Sequence, residues 1–119
     1  MTYFERIAEL REEIINATHA LMIEHGVTSV DMPDYDEIGD GAWVICYDKN
    51  GEASECEVRS VSWSKDRGLV MRCYDRYADY ETTICTAWDY GAQNLDMLAT
   101  LHNLVERTLR GEFNDIINK

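Results

Sequence analysis

The chain has 119 residues, 45% hydrophobic and 10% aromatic, and carries a formal net charge of −12. That length fits one domain with a core of its own, and the composition is globular rather than disordered. The charge opposes direct binding to nucleic-acid phosphates or to an anionic membrane surface, and no apolar run reaches the roughly 18 residues that suggest a membrane span.

Thr2-Tyr-Phe-Glu5 has the spacing of a helix capping box, with Thr2 as N-cap and Glu5 reaching back to it. Ile7, Leu10, Ile14, Ala17 and Leu21 then recur at steps of three and four, which marks one apolar helix face. Ile15, Thr18 and Met22 widen that stripe. Gly26 stops the helix in a left-handed C-terminal position. A helix of about 23 residues is a rod of roughly 34 Å. That is long beside strands of about seven residues, so one end is expected to project past the sheet.

Val27 to Val30 can form a brief strand, and an acidic loop with the sole proline, Pro33, follows. Asp34, Asp36 and Gly39 fit an EF-hand register, but Ile38 and Ile45 stand where oxygen ligands belong, so a solvated loop is the better reading.

Gly41 to Tyr47 is β-branched and aromatic and ends at Asn50-Gly51, a hairpin signal. Glu55 to Trp63 is the next strand, and its alternation slips in the middle. Cys56 and Val58 fall on one face and Val61 and Trp63 on the other, unless a β-bulge near Arg59-Ser60 brings all four together. Gly68 closes the following turn. Strands over Leu69–Tyr74 and Glu81–Trp88 complete an antiparallel meander. Its buried face is assigned Val44, Cys46, Cys56, Val58, Val61, Leu69, Met71 and Cys73. The other face carries Glu55, Glu57 and Arg72, expected to be wet, and also the rings of Trp43, Tyr47 and Tyr74.

Asn94 is a plausible N-cap for a second helix, whose apolar face runs through Leu95, Leu98, Leu101, His102, Val105 and Leu109 until Gly111. Phe113, Ile116 and Ile117 suit a short docking turn. The expected fold is a single α+β domain over residues 1–119, helix – four-stranded antiparallel meander – helix. Both helices lie on the sheet face bearing Val44, Val58, Val61 and Met71, in two layers.

Chemistry is sparsely signalled. No histidine pair has metal-ligand spacing, no Cys-x-x-Cys or phosphate loop is present, and no catalytic residue or cofactor is assigned. Cys46, Cys56, Cys73 and Cys85 all fall within strands and read as buried thiols. The lack of a leader pattern at the first residues favours a cytoplasmic protein. The expected function is non-enzymatic: an interaction module whose partner is another protein or a second copy of itself. The assigned surface is the aromatic sheet face, Trp43, Tyr47 and Tyr74 with neighbouring Tyr77 and Tyr80. Two alternatives are an acidic nucleic-acid mimic that occupies a basic cleft and a small-ligand domain with a pocket between sheet and helices.

Overall fold

The computed structural model describes residues 2–32, 43–47, 53–75, 79–87 and 94–113, with backbone alone for 43–47 and 53–55. Helix α1 (Tyr3–Glu24) opens the chain and helix α2 (Leu95–Leu109) follows the sheet. Between them run β1 (Ser29–Asp31), β2 (Trp43–Tyr47), β3 (Ala53–Ser64), β4 (Gly68–Asp75) and β5 (Tyr80–Cys85). The predicted meander is β2 to β5, every neighbouring pair antiparallel, and the short strand after α1 joins it as β1.

β3 is 12 residues long and its partners on one edge are shorter. β2 pairs with Ala53–Glu57 and β1 with Ser60–Ser62, so the two lie end to end along the same edge. The slip in the β3 pattern is a bulge: the register with β4 shifts between Val58 and Ser60. Arg59 is the extra residue, and its carbonyl accepts the Met32 N–H at 2.9 Å where β1 ends. Cys56 and Val58 before the bulge and Val61 after it thereby share one buried face with Leu69, Met71 and Cys73.

Both helices cover that face. The core joins these strand residues to Ile15 and Met22 of α1 and to Met97, Leu98, Leu101, Leu104 and Val105 of α2. The α1 capping box is present, with the Glu5 N–H donating to Thr2 Oγ1 and the Thr2 N–H to the Glu5 carboxylate, both at 3.2 Å. Gly26 (φ +69°) and Gly111 (φ +85°) end the two helices in the left-handed region.

The α1 faces are rotated from the sequence reading. Ile15, Thr18 and Met22 point into the core, whereas Ile7, Leu10, Ile14 and Leu21 are half-buried and Ala17 is exposed. Thr18 is fully buried and satisfies its hydroxyl locally, donating to the Ile14 carbonyl at 2.8 Å. Thr18→Val keeps the branched shape and leaves no group unpaired, because the Thr18 N–H still serves that carbonyl. Urea unfolding is expected to place this variant within about 1 kcal/mol of the parent. A loss of several kcal/mol would show that the hydroxyl does more than serve its own helix.

Several expected features fall outside the described residues: the acidic loop from Asp34 to Asp40, the Asn50-Gly51 turn, Trp88, and Ile116 and Ile117 of the tail. Phe113 is described, and it is buried as the docking turn requires, its ring lying under the Arg107 guanidinium at 4.9 Å.

Candidate functional site

Strand pairing fixes which residues share the sheet face turned away from the helices. One row across the strands is Trp43, Glu57, Tyr74 and Glu81. The next is Asp31, Ser60, Arg72 and Thr83, and the third is Ser29, Ser62, Val70 and Cys85. Among the described strand positions, the aromatic residues of this face lie at its β2 end, and the middle row is polar.

Glu57 was expected to be wet, and it is not: it is only 6% exposed. Its row neighbours are Trp43 and Tyr74, and Arg59, thrown out by the bulge, brings its guanidinium to 3.5 Å from the carboxylate. The same guanidinium lies 5.2 Å above the Tyr74 ring. The Tyr74 hydroxyl donates to the Asp79 carboxylate. Asp79 has φ +55°, a left-handed conformation that Asp tolerates better than most residues, and its N–H donates to the Asp75 carbonyl at 2.8 Å. Tyr74 is therefore held at its ring and at its hydroxyl by residues of its own chain. It braces the turn into β5 as much as it offers a surface.

Of the five aromatic residues assigned to the docking face, pairing brings Trp43 and Tyr74 into one row. Tyr47 pairs with Ala53 farther along β2, and the side chains of Trp43 and Tyr47 lie outside the described residues, as does all of Tyr77. Tyr80 is 54% exposed but pairs with Asp75, which puts it on the helix side of the sheet, apart from Tyr74.

A second surface was not foreseen. Tyr3 and Phe4 are 74% and 80% exposed and touch edge to face, with ring centroids 5.7 Å apart. They stand at the amino-terminal end of α1, a stretch in which no side chain before Ile15 is fully buried. The helix length implied a free end, and this exposed stretch is consistent with one. Along the same helix, Glu13, Ile14 and Ala17 face Ala99 and His102 of α2 across an open, mostly apolar groove of about 260 Å³. The signal for this surface was present in the sequence: two large rings inside the first helical turn, ahead of the residues that meet the core.

The histidines take structural places. His19 stacks on Trp63 with ring centroids 3.7 Å apart and planes 10° from parallel. His25 caps the end of α1, and half-buried His102 borders the groove. Cys56, Cys73 and Cys85 are buried thiols. Burial, reinforced by the neighbouring Cys56, pushes the Cys73 thiol up to about 12. Among the described residues no group of three His, Cys, Asp or Glu side chains is arranged to hold a metal ion, and no helix is long and apolar enough to cross a membrane. Comparison with protein-family models, with curated proteins and with solved structures finds no match to this chain.

Proposed function

We propose that this chain is a protein-interaction module, acting through a surface rather than through bond-making chemistry, and that the amino-terminal half of α1 is its principal contact. It rests on the exposed Tyr3–Phe4 pair, which stands at the amino-terminal end of an amphipathic helix whose first side chains are not buried by the fold. Large rings at high exposure on a regular, capped helix favour a partner, since rings of this kind anchor interfaces at low entropic cost. The thiol chemistry points the same way. Cys73, whose ionisation is strongly perturbed, is sealed in the core rather than facing a cleft. The aromatic end of the outer sheet face, Trp43 with Tyr47, is a secondary contact in this reading, and Tyr74 supports it from within the fold.

A photo-crosslinker tests the reading. With p-benzoylphenylalanine placed at Phe4, irradiation of the cells that make the chain natively is expected to give one or a few discrete adducts. The same group placed at exposed Asp66, in the turn between β3 and β4, should give none above background. Equal, diffuse labelling at both positions would overturn the α1 contact.

A further inference from the structure

We infer that the partner of the exposed amino-terminal end of α1 is a second copy of this chain. Two α1 helices lie antiparallel about a two-fold axis between Glu9 and Leu10, and the Tyr3–Phe4 end of each seats in the groove between α1 and α2 of the other. This rests on the interaction reading above and names its occupant.

The first support is charge. Arg6 and Glu13 are seven residues apart, close to two helical turns, and so occupy one flank of α1. Antiparallel helices related by a two-fold axis set like flanks together. An axis between Glu9 and Leu10 therefore places Arg6 of each copy opposite Glu13 of the other, two ion pairs from one pair of residues. Both side chains are available: they are 54% and 64% exposed, and within one copy they stand 4.0 Å apart, with Arg6 also 3.0 Å from Glu9.

The second support is shape. Tyr3, Ile7, Leu10, Ile14 and Ala17 recur at steps of three and four and share the face beside that flank. With the axis so placed, Ile7 and Leu10 meet near the centre. Tyr3 of one copy comes level with Asn16 of the other, between Ile14 and Ala17, at the mouth of the groove. An apolar cavity of about 150 Å³ accepts benzene. An open groove of about 260 Å³ lined by Glu13, Ile14, Ala17, Ala99 and His102 has room for a tyrosine ring. Phe4, already edge-on to Tyr3, then closes over it. Each copy supplies both ring pair and groove, so the contact closes on itself and stops at two.

The net charge of −12 on each copy works against this pairing at low ionic strength. The dimer is accordingly weak, with a dissociation constant on the order of 10 µM, and tightens as salt shortens the reach of the repulsion.

Sedimentation equilibrium or light scattering of the purified chain at about 150 mM salt is the test, with circular dichroism checking that each variant is folded. The chain is expected at twice its 13.8 kDa mass at high micromolar concentration. Arg6→Glu and Glu13→Arg should each weaken association about tenfold, by replacing two attractions with two repulsions. The double variant R6E/E13R should regain most of it. Ala99→Arg, a change at an exposed α2 position that fills the groove, should also weaken it at least tenfold. A chain still monomeric at about 200 µM, or a double variant no better than the singles, overturns the pairing. If the chain is monomeric while position 4 crosslinks to a different protein, the contact surface stands and only the self-pairing falls. If position 4 gives no adduct either, both fall.

Discussion

Gly68→Ala should unfold at a temperature roughly 10–20 °C below the parent, a loss of about 2–4 kcal/mol, whereas Gly26→Ala should lose only about 1 kcal/mol. Both glycines are left-handed, at φ +75° and +69°, so both variants carry the conformational cost of a side chain there. They differ in what the new methyl group meets. At Gly26 nothing lies within 4 Å, while at Gly68 it would overlap the Thr86 hydroxyl. That hydroxyl is buried and accepts the Leu69 N–H at 3.0 Å, next to the Thr86 N–H bond to the Leu69 carbonyl, also 3.0 Å. Displacing it breaks a buried hydrogen bond and the contact that ties the end of β5 to the start of β4. Thermal unfolding of the two variants side by side checks this. Equal losses would show that the space beside Thr86 is unimportant.

Cys73 should be almost inert to thiol reagents until the protein unfolds. The thiolate is the reactive form. A thiol pushed up from its ordinary 9.0 to about 12 has, near pH 8, roughly a thousandfold smaller thiolate fraction, before steric exclusion in the core slows it further. Labelling of Cys73 with a disulfide reagent, followed by peptide mass analysis, should therefore track the unfolded population as urea is raised. Rapid labelling in the absence of urea would contradict it. The same shift makes the protein alkali-sensitive. Between pH 9 and about 12 the unfolded thiol has lost its proton and the folded one keeps it. The unfolded state thus binds fewer protons, and stability falls by up to about 1.4 kcal/mol per pH unit on account of this group. Stability from this source is fully present below pH 9, and Cys73→Ala should remove that part of the slope.

What the sequence disclosed and what it withheld divide along a physical line. The capping box of Thr2 and Glu5, the stops at Gly26 and Gly111, and the turn at Gly68 are short-range requirements, satisfied within a few residues of themselves. The bulge was legible for a related reason, since Val58 and Val61 can share a core only if one extra residue lies between them. The rotation of α1 was not legible. Its apolar residues cover a wide arc, and the sheet, not the helix, chooses Ile15, Thr18 and Met22 over Ile14 and Leu21. The burial of Glu57 depends on which strands flank it, and alternation along β3 alone is silent about that. Tyr80 lies on the opposite face from Tyr74 because the Asp75–Tyr80 register sets its side; an even spacing of tyrosines carries no such information. The proposed contact moved from the sheet face to the helix end for the same reason: exposure is a property of the assembled layers.

Arg59 leaves one more consequence. Removing that single residue would turn β3 into an uninterrupted alternating ladder, with Val58, Val61 and Trp63 still facing inward. A hydrophobicity plot of the shortened chain would look tidier than that of the natural one. The shortened chain would nevertheless strand the Met32 amide and take the Arg59 guanidinium away from a carboxylate buried between two rows of pairing. The irregularity is a junction, where two short strands share one long neighbour and each keeps its own phase.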